Sequence, residues 1–236
     1  MLRLSTLLSI GLVAGAPLSA ATSPGSDEAT GQAIVGRFLD ASQTQQQTMR
    51  GGQMEVKIAA KVPKLAKQGE LQALRSISKF GKITYRALGF SGDNFVKNEV
   101  ISRYLTAEGE PRNIAITPAN YKFKYKGPAE FDGHRVEVFH LTPVRKAEGL
   151  FRGELWLDAA TGMPVRESGR LVKAGSIFLK KVDFVSSFEI KDGVAIPKHF
   201  ESTVDTRVVG RAQLSIDFSN FSRPEAVTDD LATVNR

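Results

Sequence analysis

The run Gln53-Met54-Glu55-Val56-Lys57-Ile58-Ala59-Ala60-Lys61-Val62 places Met54, Val56, Ile58, Ala60 and Val62 on one side and Gln53, Glu55, Lys57, Ala59 and Lys61 on the other. Successive side chains of an extended chain point to opposite faces, so a period of two predicts a strand with one buried face. Pro63 stops the run, since proline cannot donate to a sheet ladder. Upstream the period is different. Ser26-Asp27-Glu28 offers a cap and an acidic first turn, and Ile34, Val35, Phe38 and Ala41 recur at helical spacing. The spacing predicts a helix from about Asp27 to Gln47. Its second half, Ser42 to Thr48, is glutamine-rich and carries no apolar stripe.

Downstream, alternation returns in Leu71 to Ile77, Lys82 to Phe90 and Phe95 to Leu105, with Gly81 and Gly92-Asp93 as breaks. It continues in Tyr121 to Lys126, Arg135 to Thr142, Gly153 to Asp158, Val165 to Lys173, Ser176 to Ile190, Ala195 to Val209 and Arg211 to Phe221. Asp132-Gly133, Thr161-Gly162 and Asp192-Gly193 sit where hairpin turns should fall. The connections are too short for crossover helices, so neighbouring strands run antiparallel. Ten or eleven strands of this length do not lie flat. The expected architecture is mainly β (α+β): a strongly curved antiparallel sheet, an incomplete β-barrel, with the N-terminal helix packed in its concave face. Thr106 to Ala119, with Glu108-Gly109-Glu110-Pro111 and Thr117-Pro118, reads as loop.

Both ends of the chain read differently from the middle. Arg3, the apolar run Leu4 to Val13 and the small residues around Ser19-Ala20-Ala21 match a secretory leader over residues 1–20. Residues 21–26 then read as a linker, 27–223 as a single domain and 224–236 as a tail. The expected location is the periplasm. The 236 residues include no cysteine, which excludes disulfides, thiolate metal sites and cysteine nucleophiles. The formal charge of +7 permits anionic partners without naming one.

Chemistry-bearing motifs are sparse. His134 and Glu137 are three apart, which on a strand puts them on opposite faces, and His134 and His140 are separated by about 20 Å of extended chain. His199 and Glu201 share a face and read as a surface pair. Tyr121-Lys122-Phe123-Lys124-Tyr125-Lys126 sets three aromatic rings against three lysines on opposite faces. Nucleic-acid grooves need rings and cations together, so the lysine row reads first as protection of a sheet edge or plain solubility, with contact to anionic headgroups or an acidic partner as the alternatives. Nucleophile elbows, phosphate loops and metal-protease motifs are absent. No catalytic residue, metal or other cofactor is expected, and no nucleic-acid partner.

The sequence is richest in apolar surface. In Ser176 to Ile190, Phe178, Val182, Phe184, Phe188 and Ile190 fall on one side, with Ile177, Leu179 and Val185 on the other, so both faces are expected to be shielded from water. Leu214, Ile216 and Phe218 form another row, and Val56, Ile58 and Tyr85 lie in similar ones. Periodicity alone fits a filled core and a cavity lining equally.

Further runs carry a family likeness. Met49-Arg50-Gly51-Gly52 opens the first strand, and Gly153-Glu154-Leu155-Trp156-Leu157-Asp158 is followed by Thr161-Gly162-Met163-Pro164-Val165-Arg166. Asp192-Gly193-Val194-Ala195-Ile196-Pro197 and Ile216-Asp217-Phe218-Ser219-Asn220-Phe221 close the series. With the leader and the single leading helix, the chain from about Asp27 to Phe221 resembles the periplasmic lipoprotein carrier and receptor superfamily of LolA, LolB and RseB-type proteins. The resemblance implies an unclosed barrel whose helices cover an apolar cavity for acyl chains, and an arginine near it that controls closure. It assigns that role to no particular arginine here. The expected function is a carrier that shields the acyl chain of a lipid or lipoprotein, lined or supported by Phe178, Phe184, Phe188, Leu214, Ile216 and Phe218. Transient contact with the membrane or an envelope protein is expected during transfer. The alternative is an RseB-like sensor that binds a membrane partner.

Overall fold

A computed structural model describes residues 24–109, 113–175 and 179–223. The expected leader, Phe178 and the tail lie outside them. Helix α1 (Pro24–Met49) comes first, beginning three residues ahead of the expected start. Strands β1 (Gln53–Val62), β2 (Lys67–Ile77) and β3 (Ile83–Gly92) follow. A helical stretch is built from α2 (Asn94–Val96), a π-helical turn (Lys97–Ile101) and α3 (Ser102–Gly109). The chain then forms β4 (Tyr121–Phe131), β5 (His134–Pro143), β6 (Phe151–Asp158), β7 (Pro164–Leu171), β8 (Leu179–Lys191), β9 (Val194–Thr206) and β10 (Arg211–Ser222).

The strands make one antiparallel sheet in the order β3-β2-β1-β10-β9-β8-β7-β6-β5-β4. Its edges β3 and β4 do not meet, so the expected unclosed, curved sheet is what forms. The chain is a pair of meanders joined where β10 returns beside β1. Asp132 (φ 51°) with Gly133 (φ 77°), and Asp192 (φ 51°) with Gly193 (φ 73°), hold the left-handed conformations that a tight hairpin demands. Bulges opposite Ala73, Val138, Leu157 and Phe188 interrupt the ladders and add local bend.

The stretch Phe95 to Leu105, expected as a strand, is helical, and α3 also takes in Thr106 to Gly109 from the expected loop. Val96, Val100, Ile101, Tyr104 and Leu105 share one helical face and pack on the sheet. Asp93 caps the first turn by accepting a hydrogen bond from the Phe95 amide at 2.7 Å. The cap and the spacing of three to four outweigh the weak alternation of two.

Two helix-covered cores result. Helix α1 buries Ile34 and Phe38 on Tyr121, Phe139, Leu141, Leu155 and Leu157 of β4 to β6. The segment Asn94–Gly109 covers Val56, Ile58, Leu71, Leu214 and Ile216 of β1, β2 and β10. Helix α1 then runs past the β6–β7 turn, where Arg37 Nη1 donates to the Ala159 carbonyl at 3.3 Å. It reaches the start of β9, where Gln45 Nε2 donates to the Ala195 carbonyl at 2.9 Å. The glutamine-rich half, empty of apolar signal, is thus fixed by a polar contact.

Helix α3 is tied down by charge. Arg75 of β2, 7% exposed, meets Glu108 Oε1 at 2.9 Å through Nη2 and donates through Nε to the Tyr85 hydroxyl at 3.1 Å. Tyr85 in turn donates to Glu108. Burial, then the Glu108 charge, push the Tyr85 and Tyr104 hydroxyls far above the usual phenol range. Burial alone would lower the Arg75 pKa, but the Glu108 carboxylate more than compensates and the net direction is up.

Two substitutions test these supports. Glu108→Ala strands a buried guanidinium and is expected to cost about 3–5 kcal/mol in urea unfolding. Gly169 faces Gly153 across β6 and β7, and a Cβ there would lie 2.6 Å from both the Arg152 carbonyl oxygen and the Phe151 ring. Gly169→Ala should cost about 1–3 kcal/mol by overpacking, read as a lower urea midpoint with an unchanged slope.

Candidate functional site

Strand register places one row of facing residues across the whole concave face, the face that carries the helices. From β4 to β3 it reads Tyr125, Phe139, Leu155, Glu167, Ser186, Phe200, Ile216, Ile58, Leu71 and Phe90. Exposure along this row marks out a candidate site. Leu155 is 0% exposed under the first core, and Ile216 and Ile58 are 1% and 0% under the second. Between them Glu167, Ser186 and Phe200 are only half-buried. The next row behaves alike, with Leu141 fully buried, Phe184 half-buried and Leu214 buried again. A strip of floor over β7, β8 and β9 therefore lies between the two covered zones.

Aromatic rings pave this strip. Phe151 meets Phe184 edge-on at 4.9 Å between centroids, and Phe184 stacks on Phe200 at 6.2 Å with 19° between planes. Phe200 then meets Tyr104 of α3 at 5.6 Å, and Phe151 meets Tyr121 of β4 at 5.5 Å. The chain of rings links the first core, through the open strip, to the helix covering the second. Phe151 can reach Phe184 because the intervening residue on β7 is Gly169, which leaves its ring room to lie over the backbone. Rings offset or edge-on gain about 0.5–1.5 kcal/mol per pair beyond area burial.

The expected lining residues separate into groups. Phe184 paves the strip. Leu214 and Ile216, 6% and 1% exposed, belong to the core beneath α2 and α3, with Phe218 half-buried against it. Phe188 is half-buried opposite Pro197, just past a bulge. Phe178 lies outside the described residues. Phe200, Phe151 and Tyr104 were missed, although Phe200 could have been found by extending the even-position row of β8 onto its hairpin partner. The two faces of β8, expected to be shielded, are half-buried along most of the strand, because neither helix crosses its middle. The hollow is thus an open floor; open clefts of about 610 Å³ near Pro63 and Gly210, and 600 Å³ near Gly133 and Asp158, sit at strand termini.

The concave face holds few charges. Glu137, 7% exposed, accepts from the Tyr125 hydroxyl at 2.5 Å, and Glu108 is held by Arg75. Glu167 alone interrupts the apolar row at the strip, between Leu155 and Ser186. Burial among apolar neighbours pushes its carboxyl up to about 7. On the convex face, His199 Nδ1 lies 2.6 Å from Asp217 and Nε2 3.2 Å from Glu201. Burial, the largest single influence, disfavours the imidazolium, but the two carboxylates together outweigh it and raise the pKa overall, as fits a surface ion pair. The lysines of Tyr121 to Lys126 are exposed on β4, an edge strand.

No family model matches the sequence, and no curated protein matches it. Solved structures similar to the chain share little sequence with it. A DUF1329 family protein from Desulfovibrio piger is 15% identical over 84% of this chain and 95% of its own, with a TM-score of 0.45. A LolA superfamily protein from Nitrosomonas europaea is 11% identical over 83% and 94%, with a TM-score of 0.41. An outer membrane lipoprotein-sorting protein domain from Vibrio parahaemolyticus is 12% identical over 83% and 95%, with a TM-score of 0.39.

Proposed function

We propose that the chain is a periplasmic carrier that lays an acyl chain of a lipid or lipoprotein along the strip over β7, β8 and β9. The observation that carries this reading is the half-exposure of Phe184 and Phe200 between two fully buried zones of one continuous apolar face. Strands lie about 4.8 Å apart, so a strip three strands wide is about 10–14 Å across and has room for an extended hydrocarbon tail. The gain is about 0.8 kcal/mol for each CH₂ taken from water, and removal of apolar protein area adds about 25 cal/mol per Å². Six buried methylenes therefore contribute about 5 kcal/mol. No directional contact is needed along the tail, which suits a carrier that must accept and release its cargo.

The strip is bounded in a way that supports the same reading. Tyr104 of α3 closes one flank through Phe200, and α1 closes another by its contacts at Ala159 and Ala195. The Arg75–Glu108 pair holds α3 in this position, and we assign to Arg75 the closing role that the family resemblance gives to an arginine. Cargo entry then corresponds to α3 lifting while the sheet stays intact.

Native mass spectrometry of the protein recovered from the periplasm should show co-purified lipid, and N-phenyl-1-naphthylamine should bind with enhanced fluorescence. Phe184→Ser and Phe200→Ser, checked for an unchanged far-ultraviolet spectrum, should each weaken that binding about tenfold. Dye affinity unaffected by both changes would overturn the assignment of the strip. A protein always empty of lipid, and retained instead by one membrane protein's periplasmic segment, would establish the sensor reading.

A further inference from the structure

Glu167 occupies a position that the fold does not require to be charged. Its cross-strand partners are Leu155 and Ser186, and the ten-residue row that contains it is otherwise apolar or aromatic apart from that serine. The other acidic groups of the concave face have donors: Glu108 has Arg75 and Tyr85, and Glu137 has Tyr125. Among the described residues Glu167 makes no hydrogen bond or ion pair, and burial is the one influence displacing its pKa. A half-buried carboxylate without a donor costs stability. It sits, moreover, in the middle of the uncovered strip, beside the rings that would hold a tail.

We propose that Glu167 is the head-group site of the strip and that it binds an ammonium nitrogen carried next to the hydrocarbon chain of a cationic amphiphile. This rests on the strip being the acyl site and adds the class of ligand. An ammonium supplies both missing features: donors for the carboxylate oxygens and a compensating charge beside apolar groups. The remainder of the molecule argues against an accidental preference for cations. With a formal charge of +7, its long-range field attracts anionic amphiphiles and repels cationic ones, so selectivity for an amine must originate locally. The titratable group that feels the Glu167 charge is the Tyr121 hydroxyl of β4: burial pushes it upward, the hydrogen bond from the Phe151 amide pulls it back, the Glu167 charge adds to the rise, and the phenol stays neutral. It therefore leaves the charge balance at the site to the ligand.

The test is competition against bound N-phenyl-1-naphthylamine with three probes of equal chain length: dodecylamine, dodecanol and dodecanoate. Dodecylamine should displace the dye at about one tenth of the dodecanol concentration, with dodecanoate the weakest. In Glu167→Gln the amine should lose that advantage while dodecanol is unaffected. Equal displacement by amine and alcohol, a preference for dodecanoate, or an amine preference surviving in Glu167→Gln would overturn the head-group site and leave the acyl strip standing. Failure of all three probes to displace the dye would overturn the strip and this site with it. A second readout needs no ligand. With its carboxyl raised from the usual 4.5 to about 7, the folded protein holds this proton more tightly than the unfolded chain. Stability contributed by Glu167 therefore falls as pH rises through that window. Thermal melts of the wild type should drop relative to Glu167→Gln between pH 5 and pH 8, and dodecylamine should restore the wild type at pH 8. Parallel melting curves at both pH values would place the carboxylate in water and remove the basis of the site.

Discussion

A sheet of ten strands has more concave surface than a helix of 26 residues and a short broken one can cover, and this shortfall shapes everything else in the molecule. Burial of apolar area is the dominant favourable term in folding, so the two helical pieces settle where the sheet is richest in large aliphatic groups. One settles over β4 to β6 and the other over β1, β2 and β10. The strands between them then have a partly open face. Their sequence is adapted to it, since β7 to β9 present glycine, serine and a few phenylalanines there in place of a dense aliphatic stripe. The rings bridge the gap by contacting one another. Such a floor is stable without a third covering element and still has apolar area to offer a ligand.

Polar groups do the fastening. Apolar contact is non-directional, so a helix lying on a greasy sheet has no unique position along it. Gln45 on the Ala195 carbonyl sets where α1 ends, and Arg75 on Glu108 sets where α3 ends. The second is the stronger constraint, because a buried guanidinium left without its carboxylate is strongly disfavoured. Any movement of α3 away from the sheet therefore has to expose Arg75 to water or provide it with another anion.

The architecture was legible in the sequence to the extent that one residue's environment is set by its own strand. The alternation in Gln53 to Val62 and the Asp-Gly pairs gave strands and turns correctly, since both depend on local backbone preference. Phe95 to Leu105 did not, because Val96, Val100, Ile101, Tyr104 and Leu105 satisfy a helical period that a few accidental alternations obscured. The site was harder to read. Phe184 stood out by its own strand's pattern, whereas Phe200 became part of the strip only through its register with Ser186, and register is a property of two strands together. Glu167 was invisible for the same reason: one acid among many in the sequence, it becomes the single charge of its row only when ten strands are laid side by side.

Three glutamates, two on the concave face and one on the helix that covers it, show how the same group can be put to different uses by what surrounds it. Glu108 is paired with an arginine and becomes a fastener; Glu137 takes a tyrosine hydroxyl and remains buried at the far side of the first core. Glu167 faces leucine on one side and serine on the other, so neither neighbour can neutralise it. A fold indifferent to that position would be more stable with leucine there, as the cost of an unpaired carboxylate beside apolar groups runs to kcal/mol. Retaining a charge where the sheet is least covered makes physical sense if the compensation arrives from outside. On the proposed reading the open strip and the unpaired acid are two halves of one site, the first for a tail and the second for the group at its end.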